Sequence, residues 1–269
     1  MRPLVNVGSE KLTLNFHHGQ LNAWDSRARF VFILAGTQSG KTSFGPWWLW
    51  REVYGDGNGY KGAGSGDYLA VTANYDLFKL KMLPEMRYVF EQVLNVGRYH
   101  PSDRVIELKN PKTGQFDAEQ ASDSMWARII LRSAAAGAKK GKEGAGGLES
   151  ATAKAAWLDE CGLDEFSLAA WEAVLRRLSL SQGRILGTTT LYNLGWMKHE
   201  IYDRWEAGDP DFYVIQFDSI TNPAFPRPEY ERARRTLPPW KFRMMYQGQY
   251  DRPAGMIYHD FDEHIHLIK

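Results

Sequence analysis

A single cysteine, Cys161, stands in a chain of 269 residues. That excludes an internal disulfide framework and suits a reducing compartment. No paired histidine pattern accompanies Cys161, so it reads as a small packing residue. Net charge is nearly absent as well: 33 Lys and Arg against 32 Asp and Glu leave +1. No global field therefore draws the chain to nucleic acid, and any such contact must rest on local patches. No stretch is apolar for long enough to span a membrane, and the start lacks a charged-then-apolar leader. Internal repeats are missing too. What is abundant is core-forming material. Hydrophobic residues make up 43% of the chain and ten tryptophans are present, which can fill a substantial interior. The length fits one large domain or a core with a small subdomain.

The apolar run Val31-Phe32-Ile33-Leu34 leads straight into Ala35-Gly36-Thr37-Gln38-Ser39-Gly40-Lys41-Thr42. A buried strand that delivers the backbone to a glycine-bearing turn and then a helix is a phosphate-binding loop. Backbone N–H groups and the helix N-terminus point at a polyanion. Lys41 can reach the β- and γ-phosphates, and the Thr42 hydroxyl can ligate Mg²⁺. One position departs from the usual pattern: Ala35 stands where the first glycine is expected. Alanine tolerates positive φ less well, so the turn is expected to enter at a different angle.

A second signal follows in the expected order. Ala155-Ala156-Trp157-Leu158-Asp159-Glu160 is an apolar strand ending in two acids. At the C-terminal end of a core strand, Asp159 is placed to hold Mg²⁺. Glu160 can orient and deprotonate an attacking water.

Patterning predicts strands at 31–35, 68–72, 104–108, 127–131, 155–160 and 184–186. Helices are predicted over 42–54, 75–92 and 164–180, with Pro84 as a kink or break. Glycine-rich 55–66 and the Ala, Gly, Ser and Lys stretch 133–154 are predicted to be flexible loops. Strands alternating with helices imply an α/β fold with a largely parallel central sheet flanked by helices. From about Leu194 the alternation fades, which predicts a small appended subdomain.

The ordered set resembles the ATPase domain of the large terminase subunit of tailed double-stranded DNA bacteriophages. The matching residues are Gln20, the loop 36–42, Trp157-Leu158-Asp159-Glu160 and Gly187-Thr188-Thr189-Thr190. Met245-Tyr246-Gln247-Gly248-Gln249-Tyr250, then Gly255-Met256-Ile257-Tyr258, Phe261 and His264 match in style. The resemblance implies a P-loop ATPase core over 1–194, a lid subdomain over 195–250 and a linker over 251–269. It implies ATP and Mg²⁺ as cofactors, and a motor that drives double-stranded DNA into a procapsid. Its expected partners are DNA, the portal protein and the small terminase subunit. The expected setting is the host cytoplasm, with a ring of copies on the portal, a monomer in isolation and no membrane. Gln20 would contact adenine, since an amide offers both donor and acceptor. Gly36, Thr37, Gln38, Ser39, Gly40, Lys41 and Thr42 would cradle phosphate. Thr42 and Asp159 would hold Mg²⁺, and Glu160 would activate water. Thr188, Thr189 and Thr190 would sense the γ-phosphate as the coupling element. The family's nuclease acids lie beyond the linker, and the chain stops at Lys269, so no DNA cleavage is expected from it.

Ring ATPases of this kind draw a cation from the adjacent subunit. The interval that would supply it holds Arg128, Arg132, Lys139, Lys140 and Lys142. Arg132 offers the better planar fork and the lysines of 139–142 a loop expected to be mobile enough to cross an interface, and the sequence leaves the choice open. Arg176-Arg177 and Arg232, Arg234 and Arg235 are candidate DNA-phosphate contacts, against the alternative of solvated helix faces. His259, Asp260, Asp262, Glu263, His264 and His266 carry metal-ligating chemistry but read better as an amphipathic linker strand. Two other functions stay open: a nucleotide-gated module that docks DNA or portal without efficient hydrolysis, and a helicase-like remodelling ATPase.

Overall fold

The computed structural model describes residues 4–7, 12–117, 124–135 and 152–252. In chain order the elements are β1 (Val5–Val7), β2 (Leu12–Leu14), α1 (His18–Asp25), β3 (Phe30–Ala35), α2 (Lys41–Tyr54), β4 (Gly66–Thr72), α3 (Tyr75–Leu77) and α4 (Leu83–Arg87). Then come β5 (Gly97–His100), β6 (Val105–Leu108), β7 (Ala127–Ser133), β8 (Ala153–Asp159), α5 (Leu168–Leu178) and β9 (Arg184–Thr189). The last are α6 (Asp203–Glu206), β10 (Phe212–Phe217), α7 (Arg227–Thr236) and α8 (Pro239–Gln247). The result is an α/β fold whose sheet is mostly parallel and flanked by helices, as the alternation predicts.

Two compact units divide the chain. The first is Met1–Lys41, Gly162–Asp164 and Thr188–Lys269; the second is Thr42–Cys161 and Glu165–Gly187. In the first, β3 is buried at all six positions, the signature of a strand covered on both faces. It pairs in parallel with β10, with Ala35 opposite Phe217. β10 therefore puts a core strand inside the stretch 195–250 that the resemblance assigns to a lid. Beyond it, Tyr230, Ala233 and Phe242 of α7 and α8 close a small cluster with Phe225, Leu237 and Tyr246. Phe242 stacks on Tyr246 at 5.2 Å. Gly248 ends α8 in the left-handed region.

In the second unit, β4 lies between β8 and β7 and is parallel to both, while β7, β6 and β5 run antiparallel in turn. Gly45 lets α2 approach β8 closely, because a Cβ there would lie 1.9 Å from the Trp157 ring. Ser167 caps α5 by accepting a hydrogen bond from Ala170 N–H, so this helix starts at Leu168 and not at 164. β5 is an addition to the expected strands. The helical run 75–93 is continuous through Pro84, which does not break it. Stretches 78–82 and 88–93 are π-helical on either side, and Leu83 N–H reaches back to the Phe78 carbonyl. Residues 55–65 form a loop held by side chains: Tyr60 donates to Glu52 at 2.5 Å, and Arg184 donates to Glu52 at 2.6 Å. The stretch read as a loop from 133 begins later, since β7 runs to Ser133 and Ala134 and Ala135 hydrogen-bond to Thr72 and Ala73. Residues 136–151 lie outside the described residues.

Candidate active site

The phosphate-loop sequence folds as its pattern requires. β3 ends at Ala35, five residues turn, and α2 starts at Lys41. Ala35 takes its place in the strand, fully buried, and is not among the residues with positive φ. The demands fall further on. A Cβ on Gly36 would sit 2.1 Å from the Tyr246 carbonyl oxygen, so only glycine fits there. Gln38 and Gly40 carry the positive φ angles, 53° and 89°.

The loop is fastened from far away in sequence. Gly36 N–H donates to the Phe217 carbonyl at 3.0 Å, and Thr37 N–H donates to Met245 at 2.7 Å. Ser219 Oγ donates to the Thr37 carbonyl and Asn222 Nδ2 to that of Gln38, both at 2.7 Å. The amides of Gly36 and Thr37 are thus committed to the scaffold. Gln20 is buried and braces the other side. Its Oε1 accepts from His17 N–H at 3.3 Å, and its Nε2 donates to the Gly40 carbonyl at 3.0 Å. His17 Nε2 donates to the Ser39 carbonyl at 3.1 Å, and the ring meets Phe217 edge-on. Burial pulls the His17 pKa below its ordinary value, against the Ser39 hydrogen bond that raises it.

Lys41 is buried, with its amine folded into the loop. It donates to the carbonyls of Ala35 at 3.0 Å and Gly36 at 2.8 Å, and to Thr190 Oγ1 at 3.1 Å. Of the threonines at the end of β9, it is Thr190 that touches the lysine. Thr189 Oγ1 accepts from Gly162 N–H at 3.0 Å and donates to the Thr190 carbonyl at 2.9 Å. Thr188 is fully buried.

Across the next peptide bond, in the second unit, Thr42 Oγ1 donates to the Asp159 carboxylate at 3.1 Å and 3.3 Å. Asp159 closes β8 and is 1% exposed. Glu160 follows at once with φ of 52°, a conformation that costs a non-glycine residue on the order of 1–3 kcal/mol. Ser43 Oγ donates to Glu85 at 3.2 Å, and burial raises the Glu85 pKa. A hydroxyl and a buried carboxylate are hard oxygen donors, the chemistry that suits Mg²⁺. Among the described residues, no group of three or more His, Cys, Asp or Glu could hold a metal by itself.

The basic residues are held in different ways. Arg128 clamps Asp67 through two hydrogen bonds, at 2.8 Å and 3.1 Å. Arg132 donates to the carbonyls of Asp103 and Leu131. Its pKa is lowered by burial and then by the nearby Arg104 and Arg128. Arg232 pairs with Glu229 on its own helix, while Arg176 and Arg177 lie in the last turn of α5. Lys139, Lys140, Lys142 and the acid and histidine cluster 259–266 lie outside the described residues. No described helix is long and apolar enough to cross a membrane.

Solved structures share this fold. The ATPase domain of the large terminase of Thermus phage P74-26 matches with a TM-score of 0.64 at 19% identity, over 88% of this chain and 95% of that one. The large terminase of another thermophilic bacteriophage matches with a TM-score of 0.67 at 12% identity, over 93% of this chain. Complexes of that second terminase with ADP and with ATP-γ-S match at 0.65 and 0.63, both at 13% identity. The chain spans 57% of the second terminase's length. No family model matches the chain, and no curated protein matches it. The fold is that of a large-terminase ATPase domain.

Proposed function

We propose that the chain is the ATP-hydrolysing motor domain of a viral DNA-packaging terminase, acting on double-stranded DNA as a ring of copies on a portal. The observation that carries this reading is the pair of contacts on either side of one peptide bond. Lys41 is gathered by the loop and Thr190, and Thr42 is bonded to Asp159. The thermophilic phage terminase complexes with ADP and ATP-γ-S support a nucleotide as the ligand.

In this reading the Lys41 amine exchanges the Ala35 and Gly36 carbonyls for phosphate oxygens, a stronger charge-assisted pairing. The loop beyond Thr37 and the first turn of α2 bind the phosphates through their N–H groups and the helix dipole. Thr42 and Asp159 would hold Mg²⁺, which would supply neutralisation of phosphate charge there. Glu160, which follows the strand with a left-handed backbone, takes the proton of the attacking water. Thr190 moves when Lys41 lets go of it, which couples occupancy to the end of β9. Gln20 braces the loop through His17 and Gly40, and its second amide N–H and second oxygen lone pair are what an adenine edge would take. The cation from a neighbouring copy comes from Arg132 or Lys142. The portal and the small terminase subunit are the expected partners, in the host cytoplasm.

The test is steady-state ATP hydrolysis per subunit over a range of protein concentrations, with Glu160→Gln as control. A per-subunit rate that rises with concentration and vanishes in Glu160→Gln supports an assembled motor. Binding with no turnover at any concentration overturns it in favour of a nucleotide-gated docking module.

A further inference from the structure

The structure assigns Thr72 as a positioning residue for the cation that Thr42 and Asp159 would hold, acting through a water in the ion's outer shell. This rests on reading that pair as the Mg²⁺ site. Thr72 is the last residue of β4, in register with Asp159 on β8 to one side and Ser133 on β7 to the other. These strands are parallel, so residues in register project from the same face of the sheet. Asp159 meets the hydroxyl of Thr42 at the start of α2, so Thr72 lies on the α2 face as well. It is fully buried, and its Oγ1 is buried without a hydrogen-bond partner among the described residues. Ser133, across the other strand, satisfies its hydroxyl on the Ala73 carbonyl.

A buried hydroxyl with no partner is a cost that valine, of the same shape, would avoid. Packing therefore does not explain a threonine here. Thr72 is the neighbour of Asp159 across the β4–β8 pairing, yet its hydroxyl makes no direct hydrogen bond to the carboxylate. A single water can link two neighbouring polar groups that do not bond directly. Mg²⁺ keeps several of its waters when protein-bound, and a hydroxyl can both accept from and donate to such a water. Outer-shell partners of this kind orient the ligands and tune affinity.

The experiment titrates Mn²⁺ into protein saturated with ADP, following free Mn²⁺ by electron paramagnetic resonance, for wild type, Thr72→Val and Thr72→Ser. ADP affinity without metal is measured alongside. Thr72→Val is expected to raise the half-saturating Mn²⁺ concentration roughly tenfold, with metal-free ADP affinity and thermal midpoint not reduced. Thr72→Ser, which keeps the hydroxyl, is expected to stay within about twofold of wild type. Should Thr72→Val not fold, Thr72→Ala against Thr72→Ser makes the same comparison. An unchanged Mn²⁺ midpoint in Thr72→Val, or equal loss in Thr72→Ser, overturns the role of Thr72 alone. Wild type that binds no Mn²⁺ with ADP overturns the nucleotide-site reading along with it.

Discussion

Gly45→Ala tests the packing that sets Thr42 against Asp159. In an ordinary helix interior this change stabilises by about 0.8–1 kcal/mol. Here the new Cβ would lie 1.9 Å from Cε2 and 2.3 Å from Cζ2 of Trp157, where ordinary contact begins at 3.4 Å. About 1.5 Å of extra separation must be found between α2 and β8. Trp157 is fully buried, so its indole has no open side into which to retreat. Overpacking of this kind costs about 1–3 kcal/mol, which outweighs the propensity gain. For a chain of this size each kcal/mol lowers the thermal midpoint by roughly 2–4 °C. The same displacement reaches function, because Gly45 lies one turn after Thr42 and Trp157 two residues before Asp159. A misplacement near 1 Å at a reacting site can cost about a hundredfold in rate. Thermal unfolding followed by near-ultraviolet circular dichroism, with nucleotide affinity measured in parallel, reads both effects. Gly45→Ala should melt below wild type, and Trp157→Phe in that background should recover part of the loss. A Gly45→Ala protein at least as stable as wild type, with unchanged nucleotide affinity, would show that α2 and β8 do not meet as described.

Arg184→Ala should destabilise by about 3–5 kcal/mol in urea, because it leaves the buried Glu52 carboxylate without its 2.6 Å partner. Glu52→Gln in that background should restore much of the loss; no change in either would dismiss the network as a stabilising element. His17 should make stability pH-dependent in a fixed direction. Its folded pKa lies below the unfolded value of 6.5, so the unfolded chain takes up the proton first. Its contribution is full above pH 6.5 and is lost as pH falls below it. His17→Gln should flatten the fall in thermal midpoint between about pH 7.5 and 5.5, and an equally steep fall in the variant would rule His17 out as its source.

The phosphate loop, its helix and the acidic end of β8 were legible because each is a contiguous pattern whose chemistry is local. The fastenings were not. Ser219 and Asn222 reach the carbonyls of Thr37 and Gln38 across 182 and 184 residues, and nothing in their own neighbourhood marks them. β5 is short and polar at Arg98 and His100, so no apolar alternation gives it away. Pro84 reads as a breaker because a proline removes an N–H, yet i→i−5 turns on either side carry the helix past it. The lysine's threonine contact fell to Thr190 because register at the end of β9, not residue type, decides which of three identical side chains faces it. His17 carried no signal beyond its place before Gln20. Only the fold shows its ring against the loop.

The measurement closest to the central claim is equilibrium binding and single-turnover hydrolysis of Mg-ATP by wild type, Lys41→Ala and Glu160→Gln. The account predicts binding by wild type, loss of binding in Lys41→Ala, and binding without turnover in Glu160→Gln. Equal binding by wild type and Lys41→Ala, or no binding by either, would contradict the reading of residues 35–42 on which the rest stands.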